Sequence, residues 1–189
     1  EEILEAAWSR DGRWLVVRQN PMPNADLLAL RPGLDTAPVP LVVTRFGERA
    51  PTLSPDGRWI AYVSDESGRI EVYVRPFPNA AQAKWQVSLT GGSEPRWAHS
   101  GREIFYRNAT GSMVAAAVTT QPTLSIGHQT ELFQGSAFYQ DDSHAEYDVA
   151  PDDQRFLMLR QHGGGERADF ILVENWFAEL KAKAGKPSD

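Results

Sequence analysis

The stretch SPDGRWIAYVSDESGRIEVYVRPFP at 54–78 decides the fold. It opens with a turn in which Pro55 presets the φ angle and the Asp56 carboxylate can accept a backbone N–H. Gly57 can take the left-handed conformation that returns the chain. The residues WIAYV (59–63) that follow have the composition of a buried strand. The stretch therefore predicts a β-hairpin.

More strands extend this hairpin on its C-terminal side. The residues SDESGR (64–69) predict a second turn, and IEVYV (70–74) predicts a third strand with alternating polarity. KWQVSLT (84–90) then supplies a fourth, outer strand. This segment is therefore predicted to form four antiparallel strands.

The same pattern occurs four times along the chain. The turn residues Gly12, Gly57, Gly101 and Asp153 are 45, 44 and 52 residues apart, and a period in the forties is the length of a β-propeller blade. The longer last interval indicates an insertion, which the small and polar residues of GSAFYQDDSHA (135–145) predict to be a loop. The aligned segments are AAWSRDGRWLVV (6–17), PTLSPDGRWIAYV (51–63), PRWAHSGREIFY (95–106) and YDVAPDDQRFLML (147–159).

The last repeat departs from the four-strand pattern. After strands at FLMLR (156–160) and FILVE (170–174), the residues NWFAELKAKAG predict a short helix with Asn175 as N-cap and Gly185 as C-cap. In the earlier repeats, outer strands are expected at PLVVT (40–44) and near TELFQ, after a third strand at MVAAAV.

These repeats predict an all-β protein with fifteen strands and one C-terminal helix. A helix replaces the fourth strand of the last blade, so a ring closed within the chain would lack one strand. We therefore expect a partial propeller, a contiguous part of a larger one. The expected units are a blade at 1–46, a blade at 47–91, a blade at 92–135, a three-stranded blade at 136–174 and a helix with its tail at 175–189.

Composition limits the classes of function. Of the 189 residues, 41% are hydrophobic, and 19 Lys and Arg stand against 25 Asp and Glu, for a formal net charge of −6. The basic residues are scattered, which argues against nucleic acid as a partner. The longest apolar run has the six residues of Met113 to Val118, too short for membrane insertion. The absence of Cys excludes disulfides and leaves the compartment open, although we favour the periplasmic or extracellular side.

The segment 54–78 resembles the TolB-type (WD-like) propeller repeat. Together with WQVSLTGGSEPRWAHSGREIFYRN (85–108), YDVAPDDQRFLML (147–159) and VENWFAELK (173–181), it is similar to the propeller found C-terminal to the kinase domain in many bacterial serine/threonine kinases. This resemblance implies a sensory or scaffolding module. Where repeat two has Pro55-Asp56, repeat one has Arg10 and repeat three has His99-Ser100, which predicts looser turns there.

Motifs for catalysis or metal binding are missing from the sequence. It contains no G-x-S-x-G and no H-E-x-x-H. Its four histidines, at 99, 128, 144 and 162, are all predicted to lie in turns or loops. The pairs Asp141-Asp142 and Asp152-Asp153 lack the spacing of a calcium loop. We therefore expect no enzymatic activity, no cofactor and no metal ion.

The aromatic residues recur at equivalent positions in the repeats. Trp8 aligns with Trp97, and Trp14 is aligned with Trp59 and Phe156. Each blade of a propeller must bury both faces against its neighbours. We therefore expect these side chains to pack between blades rather than to stack on a ligand.

Three repeats place a glutamate three residues before the aligned Trp8 position. These are Glu5, Glu94 and Glu146, while repeat two has Ala50. In a propeller this position lies near one mouth of the central channel. Two interpretations stay open: an acidic rim that attracts a cationic ligand or basic peptide, and local ion pairs with Arg49, Arg96 and similar neighbours.

The sequence favours a binding module for a protein or small ligand at the channel mouth. Its partners would be that ligand and either further N-terminal blades or a second copy of the chain. The competing hypothesis is the accessory propeller of a hydrolase, similar to those of S9 peptidases. A catalytic domain usually follows such a propeller, whereas this sequence ends in the polar tail KAKAGKPSD, which favours the binding module. A purely structural repeat array is the third possibility.

Overall fold

A computed structural model describes residues 3–20, 22–161 and 168–173, and only the backbone of residues 161 and 168–173. These residues form β-strands, turns and loops, with no helix among them. The helix predicted at about 175–184 lies outside the described residues. The same part of the chain contains no helix with the length and hydropathy of a membrane span.

The described strands form four antiparallel sheets, each built from strands that follow one another in the sequence. Three sheets have four strands and the last has three, which is the arrangement of propeller blades. Blade 1 contains β1 (Ile3–Trp8), β2 (Leu15–Gln19), β3 (Asp26–Leu30) and β4 (Val39–Val42); blade 2 contains β5 (Arg49–Leu53), β6 (Trp59–Ser64), β7 (Glu71–Pro76) and β8 (Trp85–Gln86); blade 3 contains β9 (Gly92–Trp97), β10 (Glu103–Asn108), β11 (Met113–Thr119) and β12 (Ser125–Phe133); blade 4 contains β13 (Tyr147–Val149), β14 (Phe156–Gln161) and β15 (Ala168–Val173).

The prediction of fifteen strands is confirmed within the described residues. One detail was wrong. His128 was expected in a loop, but it lies in β12, which begins at Ser125. This outer strand pairs only with β11 and is mostly exposed, so its sequence SIGHQTELF lacks the apolar alternation that marks a half-buried strand.

The turn between the first two strands has the same backbone pairing in all four blades. In blade 2 the N–H of Ser54 donates to the carbonyl of Trp59, and the N–H of Gly57 donates to the carbonyl of Ser54. The left-handed position is occupied by Gly12, Gly57, Gly101 and Asp153, with φ of 69°, 68°, 70° and 58°. The predicted turn is therefore confirmed.

The expectation of a looser turn in repeat one was wrong. In blade 1 the Ser9 hydroxyl donates to Asp11 Oδ1 at 2.6 Å and accepts from the N–H of Trp14 at 2.9 Å. Blade 2 repeats the contact between Ser54 and Asp56 at 2.6 Å. The serine and aspartate carry this geometry, so the residue between them, Arg10 or Pro55, does not change it.

The turn of blade 3 lacks the serine but is held by the next blade. Asp153 of blade 4 accepts the N–H of His99 at 2.6 Å and that of Ser100 at 2.9 Å. One carboxylate therefore replaces the local contact and joins two blades.

We expect Gly57→Val to lower the free energy of unfolding by more than about 1 kcal/mol. A Cβ at Gly57 meets no atom within 4 Å, so the cost comes from the positive φ alone. Gly57→Asn is the matched control, because Asp153 already occupies the equivalent position and Asn tolerates this region. Urea denaturation measures both variants, and an equal stability of the Val and Asn variants would contradict the argument.

Three apolar clusters hold consecutive blades together. Blades 1 and 2 share a cluster around Leu27 and Tyr62, and blades 2 and 3 share one around Val72 and Ile104. Blades 3 and 4 meet around Phe156. This stacking confirms that most of the recurring aromatic residues pack between blades.

Two of the aromatic assignments need correction. Phe156 is equivalent to Ile60 rather than to Trp59, because the N–H of Ala150 pairs with the carbonyl of Arg155 just as Ser54 pairs with Trp59. Trp8 is 57% exposed. It lies on the innermost strand of blade 1, and no buried cluster of the described residues joins blade 1 to blade 4.

Candidate functional site

The innermost strands of the four blades begin around one end of the central channel, which we call the channel mouth. Glu5, Ala50, Glu94 and Glu146 lie at these strand starts. Burial raises the pKa of Glu5, and the charge of Arg18, the N–H of Ala50 and the charge of Arg96 partly offset this rise. Charged residues of blades 1 and 3 therefore lie close to each other at the channel mouth.

Glu5 connects blade 1 to blade 2. Its Oε2 accepts the N–H of Ala50, the equivalent residue of the next blade, at 3.2 Å. The same oxygen lies 3.7 Å from Nε of Arg18 on β2. The side chain is therefore paired within its own blade and bonded to the next one.

Glu94 makes the same connection between blades 3 and 4. Its Oε1 lies 3.1 Å from Nε of Arg107 on β10, and both side chains are fully buried. Its Oε2 accepts the N–H of Glu146 at 2.9 Å, and Oε1 accepts that of Asp141 at 3.3 Å. Burial raises the pKa of Glu94, while Arg107 and these N–H groups counteract the rise.

A β-bulge places these side chains in position. The pairing of the first two strands shifts register next to Glu5, Ala50 and Glu94. Ala50 and Glu94 adopt positive φ, 50° and 54°, which is uncommon for residues other than glycine. A bulge redirects the side chain out of the regular alternation, here toward the next blade.

Glu5 and Glu94 form local ion pairs, but not with the two arginines named from the sequence. Their partners are Arg18 and Arg107, which lie at equivalent positions on the second strand, instead of Arg49 and Arg96. Blade 2 has Val63 at that position, where it pairs with Arg49, and it has Ala50 at the position of the glutamates. Glu and Arg occur together in blades 1 and 3, and both are replaced by apolar residues in blade 2. This joint replacement is visible in the aligned repeats and indicates that the two residues form a pair.

The two predicted arginines have other roles. Arg49 is buried and donates from Nε to the carbonyl of Asp142 at 2.7 Å, and burial lowers its pKa. Arg96 lies with its Nε 3.5 Å from the carbonyl of Tyr147. With Glu94 and Arg49 buried, these two residues do not form an exposed rim.

The segment that the sequence predicted as a loop covers part of the channel mouth. This blade 3–4 loop (134–146) has no strand. Arg107 donates to the carbonyls of Gly135 and Tyr139 at 3.3 and 3.1 Å, and Arg49 of blade 2 reaches the loop at Asp142. The loop is thus tied to blade 3 and to blade 2.

Three side chains near the end of this loop could hold a metal ion. One potential ligand atom from each of Asp141, His144 and Glu146 lies within 4.8 Å of the others. Nε2 of His144 is 2.8 Å from Oε1 of Glu146. No metal was expected from the sequence, because the spacing D-x-x-H-x-E of this group belongs to none of the metal-binding motifs described above.

A pocket of about 540 Å³ lies next to the loop, between blades 2 and 3. Its polar lining includes Arg69, Ser93, Asn108, Gln140 and Asp142. Nε of Arg69 pairs with the buried Glu71 at 3.0 Å, so the pocket wall carries little net positive charge. Such a pocket suits a small polar ligand or a few residues of a peptide.

A buried carboxyl group lies near the same end of blades 1 and 2. Oε1 of Glu48 accepts from the hydroxyls of Thr44 and Ser64 at 2.7 and 3.3 Å. Oε2 has no hydrogen-bond partner. Burial, with a smaller contribution from the charge of Asp26, raises the pKa of Glu48 from 4.5 to about 7.

We expect the stability of the chain to fall between about pH 4.5 and 7 because of Glu48. The folded state holds a proton that the unfolded chain releases near pH 4.5, so the stabilisation is complete below that pH and is lost as pH rises through 7. The loss is about 1–3 kcal/mol. Urea denaturation between pH 4 and 8 measures it. Glu48→Gln should flatten the profile, whereas the same change at the exposed Glu131 should not; superimposable profiles for the native chain and Glu48→Gln would contradict this assignment.

No protein-family model matches the sequence, and a search of curated proteins finds no similar sequence. Solved structures do match. TolB from Acinetobacter baumannii is 14% identical over 92% of this chain and 41% of its own, with a TM-score of 0.67. A putative TolB from Agrobacterium tumefaciens is 13% identical over 90% of this chain and 61% of its own, with a TM-score of 0.65.

A peptidase is also among the structural neighbours. A puromycin-hydrolyzing peptidase from Mycobacterium tuberculosis is 15% identical over 91% of this chain and 31% of its own, with a TM-score of 0.58. The chain therefore spans less than two thirds of the length of each of these structures. Identities this low establish the fold alone: the chain has the fold of TolB-type β-propellers.

Proposed function

We propose that the chain is a non-catalytic binding module, part of a larger protein, that recognises a ligand at the channel mouth. The pocket between blades 2 and 3 is the observation that carries this proposal. Buried arginines from two blades hold the loop beside it. A rigid scaffold that positions a polar loop beside a pocket is the usual arrangement of a binding site.

The ligand we propose is a short peptide segment with a basic side chain. Oδ1 of Asn108 accepts from Thr110 and Ser112, and Nε2 of Gln140 donates to the carbonyl of Gly135. Nδ2 of Asn108 and Oε1 of Gln140 are therefore the amide atoms proposed to contact a peptide backbone.

The exposed Asp142 offers a carboxylate to a cation. Arg69 is paired with Glu71 and opposes a cation less than a free arginine would. The net charge of −6 also favours a cationic partner.

A peptide titration tests this site. Acetyl-Lys-Arg-Lys-amide is added to the ¹⁵N-labelled chain, and the acidic acetyl-Glu-Asp-Glu-amide serves as the control probe. We expect saturable shifts at the backbone amides of Ser93, Asn108 and Gln140 with the basic peptide only. Asp142→Lys should weaken binding at least about 10-fold, whereas Glu131→Lys, with the same change of charge on β12, should not. Equal losses in both variants, or no saturable shifts, would refute the site.

The larger protein is proposed to be a bacterial serine/threonine kinase. The similarity of the repeats to propellers C-terminal to kinase domains supports this context. The open reading frame upstream of Glu1 tests it: a kinase domain followed by a membrane-spanning segment or linker is expected, and any other catalytic domain there would contradict it.

The second candidate is the accessory propeller of a hydrolase. The peptidase among the structural neighbours favours it. In that case the open reading frame downstream of Asp189 would encode an α/β-hydrolase domain. In neither case do we assign catalysis to the chain itself, because its sequence lacks the nucleophile motif of such enzymes. Turnover by the purified chain that is abolished by one Ser or His substitution would disprove this.

A further inference from the structure

We propose that Asp141, His144 and Glu146 bind a divalent first-row transition-metal ion at the end of the blade 3–4 loop. Their potential ligand atoms lie within 4.8 Å of one another. Two ligands that are each about 2.1 Å from one ion lie roughly 3–4 Å apart, so an ion needs only a small adjustment of these side chains. The imidazole is 47% exposed and is reached directly from solvent.

The backbone that carries these ligands is already held in place. The buried Glu94 accepts the N–H groups of both Asp141 and Glu146, the first and last residues of the group. The N–H of Ser143 donates to Oδ1 of Asp141 at 2.6 Å, which closes the turn between them. The ligands therefore lose little conformational freedom when an ion binds, which favours affinity.

Asp141 keeps a free oxygen for an ion. The turn uses its Oδ1, and the described contacts leave Oδ2 available. His144 and Glu146 contact each other through Nε2 and Oε1, the atoms that would both turn to a shared cation. Without an ion this contact is a hydrogen bond, so the two states differ in a way that metal titration detects.

The donor types select the class of metal. Two carboxylates and one imidazole suit Zn²⁺, Mn²⁺ or Co²⁺, whereas Ca²⁺ and Mg²⁺ prefer oxygen ligands alone. Three protein ligands also leave a coordination position for water or for a ligand group. None of these three residues lines the pocket, so the metal site and the peptide site use different side chains.

Titration with Co²⁺ tests the site, because its visible absorption reports the ligand set, and calorimetry with Zn²⁺ gives the affinity. We expect one equivalent to bind. His144→Ala and Glu146→Gln should each weaken binding at least about 10-fold. His128→Ala, which removes an exposed histidine from β12, should change the affinity less than about 2-fold.

Two results would overturn the proposal. One is equal affinity of the native chain and His144→Ala, which would place the ion elsewhere. The other is the absence of saturable binding of Co²⁺ and Zn²⁺ by the native chain, which would leave the contact between His144 and Glu146 as a hydrogen bond only. Circular dichroism of each variant checks that the fold is retained.

Discussion

Replacing Glu94 by Ala should lower the free energy of unfolding by about 3–5 kcal/mol, because it leaves the fully buried Arg107 without its counter-charge. The substitution also removes the acceptor of two N–H groups, those of Asp141 and Glu146. Glu5→Ala, which breaks the equivalent ion pair of blade 1, should have a smaller effect on the free energy of unfolding. Glu5 lies 3.7 Å from Arg18 and is partly exposed, so we expect a cost of about 1–2 kcal/mol there.

Blade 2 suggests how the loss can be compensated. It has Ala50 and Val63 where blade 3 has Glu94 and Arg107, so Glu94→Ala/Arg107→Val imports a combination that the fold already uses. We expect the double variant to be more stable than Glu94→Ala, since no unpaired charge is buried. Urea denaturation of the single and double variants measures this coupling. If the cost of the double variant equals the sum of the costs of the two single variants, the interaction between Glu94 and Arg107 contributes nothing to stability.

The double variant should not recover full stability. Arg107 also donates to the carbonyls of Gly135 and Tyr139, and blade 2 has no corresponding insertion to anchor. The difference in free energy of unfolding between the native chain and the double variant therefore measures how much the contacts that anchor the loop contribute to stability.

The turns and strands were predictable because their signals are local. The residues that form the turn of blade 2, Ser54 to Trp59, are six neighbours in the sequence. The apolar strands after each turn are equally short-range. Even the tighter turn of blade 1 could have been inferred, since Ser9 and Asp11 keep the spacing of Ser54 and Asp56.

The contacts at the channel mouth could not be derived in the same way. Glu94 bonds to Glu146, 52 residues away, and Arg49 bonds to Asp142, 93 residues away. These contacts depend on a bulge, on a positive φ and on the path of an insertion, none of which leaves a regular pattern in one sequence. Only the Glu and Arg that change together between blades 2 and 3 carried a signal of the ion pair.

We expect the isolated chain to self-associate, because the inner strand of blade 1 is exposed. Ile3 and Trp8 on β1 are 62% and 57% exposed, although the equivalent Trp97 of blade 3 is buried against blade 2. A neighbouring blade covers this surface in the other interfaces of the chain. Burial of each large apolar side chain contributes about 1.5–3 kcal/mol. Association with a second copy that covers both Ile3 and Trp8 is therefore favourable.

Light scattering over a range of concentrations measures this association. We expect a mass that rises above the 21.0 kDa of one chain. Ile3→Lys/Trp8→Glu should raise the dissociation constant at least about 10-fold, which corresponds to about 1.4 kcal/mol. Leu34→Glu is the control, because Leu34 is 76% exposed in the turn between β3 and β4, away from β1. A mass of one chain at every concentration would contradict the prediction, and an equal effect of both variants would show that association depends on general surface hydrophobicity instead of on the uncovered strand of blade 1.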